Sequence, residues 1–186
     1  MCIVSDVSLR KLLFPKEEHE KAKKLFERRD WKSIGGRILI NPFELKNLGA
    51  FSYDLCVGNE AFALKANRRI SIDEGKEVTV EPSGIFLILT QEYVGLPREF
   101  AGSVMPRFCL VREGVFQSMT KIDPTWFGKI AVAITNHSKQ AFQLKQGQPF
   151  STLVIHRLDR PCSKVLKPSD TPQLGKESIQ YFLKQK

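Results

Sequence analysis

The residues best suited to chemistry lie in one segment, VMPRFCLVREGVFQSMTKIDPTWFGKIAVAITN, at positions 104–136. Arg107 follows an apolar run at a Pro-Arg turn, where a guanidinium can bind a phosphate through two hydrogen bonds. Asp123 ends a second apolar run, and a carboxylate at such a corner can act as a base towards water or bond a sugar hydroxyl. Trp126 offers a flat face for a sugar or a base. Spacing alone favours a simpler interpretation, a turn aspartate that accepts local backbone amides beside a core tryptophan.

The sequence lacks the motifs of several common enzyme classes. It contains no GxSxG elbow, no Walker A loop and no GxGxxG loop. The zinc deaminase pattern is also missing, because no second cysteine follows Pro161-Cys162 at the required spacing. The four cysteines (Cys2, Cys56, Cys109 and Cys162) are far apart and form no CxxC pair, and the three histidines do not cluster with them. We therefore expect neither a zinc site nor a disulfide framework.

Composition and charge narrow the class of protein. The chain has 186 residues, of which 42% are hydrophobic and 26% charged, as expected for one soluble domain. Its net charge of +9 fits a polyanionic partner such as nucleotide phosphates, and equally a solvated lysine-rich surface. We find no nucleic-acid-binding motif and expect no such partner. Without a secretory pattern or a run long enough to span a membrane, the sequence predicts a cytoplasmic protein.

The hydrophobic pattern predicts a mainly β protein with helices near its N-terminus. The opening SDVSLRKLLF has leucines at helical spacing behind a serine or aspartate cap. Residues 16–34 are charge-rich with one apolar stripe, which predicts a helical insertion on the surface. Most of the remaining chain is short β-branched and aromatic runs between turn residues, typical of a sandwich, jelly roll or barrel. We predict one domain over residues 1–158 and a C-terminal arm with a short terminal helix over residues 159–186.

Several ordered segments carry a family resemblance. ILINPFELKNLGAFSYDLCVGN resembles the pattern I-x-P-F followed by L-x-P-x-S-Y-D-L-x-L-G. EPSGIFLILTQEYVGLPREFAGSVMPR resembles P-G-x-F-x-L-x-x-T-x-E-x-x-x-L-P followed by G-x-x-x-x-R. KIDPTWFGKIAVAITN resembles x-I-D-P-G-F-x-G-x-I-T-L-E-L-x-N. On these segments the chain, from Ile3 to about Leu158, is identified as a member of the dCTP deaminase/dUTPase superfamily, closest to its deaminase and bifunctional branch.

The resemblance implies a distorted jelly-roll or β-barrel subunit in a homotrimer, with active sites between subunits. The substrates it implies are deoxypyrimidine triphosphates that carry Mg²⁺ on their phosphates. Asp123 would orient or deprotonate the attacking water, and Trp126 would pack on the deoxyribose. Arg107 and Arg112 match the two arginines of the motif R-S-S-L-x-R around the phosphates. Gln173 matches the first residue of the pattern Q-x-G-x-x-S in the arm.

Three departures from the superfamily patterns bear on the activity. Phe108 and Cys109 replace the two serines of R-S-S-L-x-R, and a phenyl ring cannot donate a hydrogen bond to a phosphate. Ala133 replaces the glutamate that shuttles protons in the deaminases, and such general acid–base help is worth roughly 10²–10⁴-fold. We therefore predict hydrolysis of dUTP to dUMP and pyrophosphate. The alternatives are a non-catalytic nucleotide-binding homologue, then a dCTP deaminase, and last a protein scaffold without a nucleotide.

Overall fold

The structure, a computed structural model, describes residues 2–72, 76–167, 175 and 178–183. In these residues the short β-branched and aromatic runs form fourteen strands. In chain order they are β1 (Cys2–Ile3), β2 (Leu39–Asn41), β3 (Tyr53–Ala63), β4 (Arg68–Ser71), β5 (Glu77–Val80), β6 (Ile85–Thr90), β7 (Tyr93–Gly95), β8 (Phe100–Pro106), β9 (Val115–Gln117), β10 (Thr120–Ile122), β11 (Phe127–Gly128), β12 (Ala131–Asn136), β13 (Phe142–Lys145) and β14 (Pro149–Arg157).

The largest sheet has the strand order β10-β8-β14-β3-β6-β12-β9, with β1 added to β14 and β4 added to β3. Its two outermost strands, β9 and β10, are separated in sequence by only Ser118 and Met119. Two residues cannot cross an open sheet of this width, so the sheet curls until its two ends approach each other. This curled architecture confirms the prediction of a mainly β, barrel-like fold.

Alternation along the strands places the core inside the curled sheet. In β12, for example, Val132 and Ile134 are buried, whereas Ala131 and Ala133 are half-buried on the other face. Successive residues of a strand point to opposite faces, so the two alanines share the face that the core does not use. Large side chains fill the interior, among them Tyr53, Phe100 and Phe150.

Helices lie where the sequence predicts them, at the N-terminus and in the insertion. Helix α1 spans Asp6–Leu12, and the amide of Ser8 donates to the Ser5 hydroxyl that caps it, at 3.3 Å. Residues 16–34 form a 3₁₀ turn, helix α2 (His19–Arg28) and helix α3 (Trp31–Ile34). None of the helices in the described ranges is both long and apolar enough to cross a membrane.

The insertion packs on a small second sheet rather than on the main core. That sheet has the order β11-β7-β2. Phe26 of α2 packs in a cluster with Tyr93 of β7 and Phe127 of β11. The insertion therefore supports the strand that directly follows Trp126.

The remaining short helices lie at turns and near the end of the chain. They are α4 (Phe108–Arg112) and 3₁₀ helices at Leu45–Asn47 and Ile179–Phe182. The last of these packs against β3 and β6. Gln173, predicted to bind substrate, lies outside the described residues.

Candidate functional site

Asp123 lies at an accessible corner directly after β10. Strand β10 pairs with β8, with Ile122 opposite Gly102, and the chain turns away at the next residue. The Asp123 side chain is 44% exposed, and the Lys121 ammonium contacts both of its carboxylate oxygens. An ion pair this exposed contributes less than about 1 kcal/mol, so an incoming anion can displace the carboxylate from the lysine.

Lys121 is a candidate functional residue that the sequence analysis missed. It precedes Asp123 by two residues, and residues two apart in a strand point to the same face. The spacing was a signal for this contact, but β10 ends at Ile122, so the strand pattern alone does not fix where the Asp123 side chain lies.

A tight turn fixes Trp126 beside Asp123. The Trp126 amide donates to the carbonyl oxygen of Asp123 at 3.2 Å, and the indole Nε1 donates to the carbonyl oxygen of Gly128 at 3.2 Å. The indole is half-buried and packs against the main core. Trp126 is thus part of the core on one side and accessible on the other.

The accessible side of Trp126 lines a cavity of about 220 Å³. Its other lining residues are Thr120, Lys121, Ile122, Ile130, Ala131 and Phe182. Among these described lining residues there is no carboxylate, and Ala133 follows Ala131 on the same strand face. The cavity is smaller than the roughly 300–1,000 Å³ of most small-molecule sites. This cavity alone is therefore too small to enclose a whole nucleoside triphosphate.

Arg107 lies in a different place, in a groove of about 480 Å³. Its guanidinium contacts the Asp54 carboxylate at 3.1 Å and donates to the carbonyl oxygen of Pro149 at 2.9 Å. The Thr152 hydroxyl donates to the same carboxylate at 2.8 Å. Asp54 therefore orients the arginine, a role that sequence spacing did not indicate because the two residues are far apart along the chain.

Helix α4 connects the two arginines of the predicted phosphate site. Arg107 is its N-terminal cap residue and Arg112 its last residue, and the Arg112 guanidinium lies 3.4 Å from Glu113 on the surface. Between them, Phe108 is 78% exposed and lines the same groove as Arg107. The phenyl ring is therefore a surface feature and contributes little to the core.

Arg107 and Asp123 lie towards opposite ends of strand β8. The β8–β10 register places Asp123 beyond Ile122 and hence beside Ala101, whereas Arg107 follows the far end of β8. Six residues of extended strand separate those positions, about 20 Å at 3.3–3.4 Å per residue. Two side chains cannot meet across that distance. The structure thus brings Asp123 and Trp126 together and keeps Arg107 apart from them within one subunit.

No group of three or more His, Cys, Asp and Glu side chains in the described ranges is arranged to hold a metal ion. At the corner itself the one contact described for the Asp123 carboxylate is with Lys121. A divalent cation at this corner would therefore need most of its oxygen ligands from a bound molecule and from water.

The chain is similar to known proteins over most of its length. Residues 27–158 match the protein family described as dCTP deaminase-like. A dCTP deaminase of Pyrococcus horikoshii is 38% identical over 132 residues, which cover 71% of this chain and 83% of that protein. A protein of Methanopyrus kandleri named "dCTP deaminase, dUMP-forming" is 26% identical over 164 residues, covering 76% of this chain and 85% of that protein.

Solved structures show the same architecture. The 2'-deoxycytidine 5'-triphosphate deaminase of Agrobacterium tumefaciens matches with a TM-score of 0.57 at 13% identity, over 70% of this chain. The match covers 47% of that protein, so this chain spans about half of its length. At this identity the similarity concerns the fold, and it agrees with the curled β-sheet described above.

Proposed function

This chain belongs to the dCTP deaminase-like family, and from that premise we propose that it binds deoxypyrimidine triphosphates and hydrolyses dUTP to dUMP and pyrophosphate. One observation carries the proposal: an accessible carboxylate, Asp123, lies beside a cavity that has no carboxylate among its own described lining residues. Hydrolysis of a phosphoanhydride needs one base that takes a proton from the attacking water and several cationic groups that neutralise the negative charge of the phosphates. Deamination needs a further side chain that carries protons to the cytosine ring.

In the proposed hydrolysis, each step is carried out by a named side chain. Asp123 accepts a proton from water, whose oxygen attacks the α-phosphorus of dUTP. The bond from that phosphorus to the bridging oxygen breaks, and pyrophosphate leaves with both bonding electrons. Lys121, released from Asp123 by the incoming phosphates, stabilises the negative charge together with Arg107 and Arg112. Magnesium arrives as part of the substrate, bound to its phosphates.

Deamination of dCTP is disfavoured by position 133. Removing the amine at C4 of cytosine requires a group that takes a proton from water and gives one to the departing ammonia. Ala133 has no such proton, and its strand neighbours Val132 and Ile134 are apolar and buried. Because similar proteins are named dCTP deaminases, any assay must include dCTP as a substrate.

The proposed site is shared between subunits of a homotrimer. Arg107 and Asp123 are about 20 Å apart along β8 within one subunit, so a triphosphate that contacts both needs Arg107 from a second copy. The small volume of the Trp126 cavity agrees with a site that a neighbouring subunit completes. A closed ring of identical subunits repeats this contact at every boundary.

A non-catalytic nucleotide-binding homologue is the second candidate, and Phe108 favours it. The phenyl ring is 78% exposed in the groove of Arg107, at the position where the superfamily motif has a serine. It cannot donate to a phosphate oxygen or hold a water molecule. If the serine is indispensable, the protein binds nucleotides without turning them over.

Product analysis tests the proposal directly. Purified protein with Mg²⁺ is given dUTP, dCTP or dTTP, and pyrophosphate and ammonia are measured separately. We expect pyrophosphate from dUTP, loss of this activity in Asp123→Asn, and no loss in the matched control Asp159→Asn, which changes an exposed carboxylate elsewhere. Ammonia from dCTP at about 1 s⁻¹ or faster would contradict the interpretation of Ala133.

Thermal stability separates the two candidates. A nucleotide at 100 times its Kd stabilises the folded protein by about 2.7 kcal/mol, which is easily seen as a raised melting temperature. A raised melting temperature without either product would favour the non-catalytic candidate. No shift with any of the three nucleotides would contradict both.

A further inference from the structure

A buried carboxylate of β3 contacts the C-terminal segment, defined here as residues 178–183. Glu60 is only 8% exposed, and a charge buried to this degree is costly unless it is paired and hydrogen-bonded. Its carboxylate accepts hydrogen bonds from the Ser178 hydroxyl at 3.0 Å and the Ile179 amide at 2.7 Å. The guanidinium of Arg69, on the neighbouring strand β4, pairs with the same carboxylate. Without the C-terminal segment, Glu60 would lose two of these three donors.

The charge state of Glu60 suits this arrangement. Burial alone would raise the pKa of its carboxyl, but the Ile179 amide, the Arg69 guanidinium and the Ser178 hydroxyl lower the pKa, and the net shift is downward. The carboxylate is therefore ionised at neutral pH. Charge-assisted hydrogen bonds of this kind are about twice as strong as those between neutral groups.

Apolar packing reinforces the contact. Ile179 is fully buried against Phe62 of β3 and Leu89 of β6. Phe182 packs on the edge of this cluster and also lines the cavity that Trp126 lines. The position of the C-terminal segment thus determines one wall of the proposed ligand cavity.

A strained residue holds the preceding part of the arm. Thr125 has a φ of 68°, a left-handed conformation that is unfavourable for a β-branched residue, and the superfamily pattern I-D-P-G-F has glycine there. The Thr125 hydroxyl accepts a hydrogen bond from the Leu166 amide at 2.8 Å. Thr125 is buried. Glycine would relieve the strain but could not make this bond. Nearby, the Gly175 amide donates to the carbonyl oxygen of Phe127 at 2.6 Å.

We propose that Glu60 and Thr125 are positioning residues, which hold the C-terminal segment and Leu166 on their own subunit before any ligand binds and so make Phe182 a permanent wall of the Trp126 cavity. The wall is then already in place when a nucleotide arrives, and the ordering of the segment does not have to be driven by binding. This consequence for ligand affinity rests on the proposed function, whereas the attachment of the arm does not.

Hydrogen exchange of the ligand-free, full-length protein tests the attachment. We expect the Ile179 amide to be protected, and Glu60→Ala to accelerate its exchange at least tenfold. Glu77→Ala, which removes a strand carboxylate paired with Lys145, is the matched control and should change nothing at Ile179. Ser178→Ala alters only the arm, cannot disturb the folding of β3, and should also accelerate exchange. At Leu166, Thr125→Gly should remove amide protection while Thr125→Ser retains it.

Calorimetric titration with dUTP and Mg²⁺ tests the consequence for binding. We expect Glu60→Ala to raise the Kd about tenfold and Glu77→Ala to leave it unchanged. Exchange of Ile179 at the rate of an unstructured peptide in the wild type, protection only after dUTP is added, or unchanged protection in Glu60→Ala would overturn the inference. Equal Kd values for wild type and Glu60→Ala would overturn its consequence for affinity. Absence of nucleotide binding by the wild type would contradict the proposed function, and exchange would still decide whether the arm is attached.

Discussion

Phe26 of the helical insertion stacks on Phe127, with ring centroids 5.7 Å apart and ring planes 12° apart. Phe127 directly follows Trp126, so the insertion reaches to within one residue of the proposed site. Phe26 is itself buried, so its ring also contributes apolar packing to the cluster on the small sheet. The insertion is therefore part of the support of the site, although its outer face is highly charged.

Replacing Phe26 by alanine should destabilise the fold and loosen the Trp126 turn. Loss of a buried phenyl ring costs about 3–5 kcal/mol, which chemical denaturation measures as a lower midpoint. Phe26→Leu retains most of the apolar volume and should cost less. Gly95→Ala should act like Phe26→Ala, because a Cβ at Gly95 would lie 2.8 Å from the Phe26 ring. An unchanged midpoint in Phe26→Ala would show that the insertion does not stabilise the β domain.

Replacing Phe108 by serine should improve nucleotide binding or turnover. A serine there can donate to a phosphate oxygen, and one hydrogen bond to a charged group contributes about 1.5 kcal/mol or more, roughly tenfold in kcat/KM or Kd. Stability should change little because the ring is exposed.

Phe51→Ser is the matched control for this substitution, since Phe51 is an exposed phenylalanine of the same groove. We expect no gain from it. An equal gain in both variants would indicate a general effect of removing apolar surface, and no gain in Phe108→Ser would argue against a phosphate at this position.

Glu92 should make stability depend on pH. Burial raises the pKa of its carboxyl to about 7, although the Cys56 amide donates to both carboxylate oxygens at 3.2 and 3.0 Å and opposes the shift. A raised pKa means that the folded state binds the proton more tightly than the unfolded state. The stabilising contribution is present below the ordinary pKa of 4.5 and is lost as the pH rises through about 7.

The measurement is the unfolding free energy of wild type and Glu92→Gln at several pH values. Glutamine does not titrate. The unfolding free energy of the variant should therefore rise by about 3 kcal/mol relative to that of the wild type between pH 4.5 and pH 8. A difference that stays constant across this range would show that the pKa of Glu92 is the same in the folded and unfolded states.

The fold class was predictable from local patterns, whereas the arrangement of the site was not. Strand alternation and turn residues indicated a mainly β protein, and the apolar stripe of residues 16–34 indicated the helical insertion. Asp123 and Trp126 were predictable as neighbours because one short turn contains both. Their assignment to a ligand site, with that of Arg112 and Gln173, stays a prediction.

Long-range pairing accounts for what the sequence did not reveal. The separation of Arg107 from Asp123 depends on the register between β8 and β10, which no tight turn fixes, because helix α4 and strand β9 lie between them. Glu60 and Ile179 are 119 residues apart, and only the folded chain brings them together. Asp54 likewise acquires its role from the neighbouring strand β14 and the turn after β8.

A shared site also predicts the mass of the protein in solution. Light scattering at micromolar concentration should give three times the subunit mass of 21.2 kDa. The exposed edges and short strands of the curled sheet leave surface that an oligomer can cover. A mass of one subunit would contradict a site made from two copies.

Complementation between two inactive variants is the most direct measurement of a shared hydrolytic site. Asp123→Asn and Arg107→Gln subunits, each with its own affinity tag, are co-expressed, and mixed trimers are isolated through both tags. Each mixed trimer contains a single boundary where an intact Arg107 meets an intact Asp123 of the next subunit, so pyrophosphate release from dUTP should recover to about one-third of the wild-type rate. Activity no higher than that of the two parent variants would contradict a site that takes Arg107 and Asp123 from different subunits.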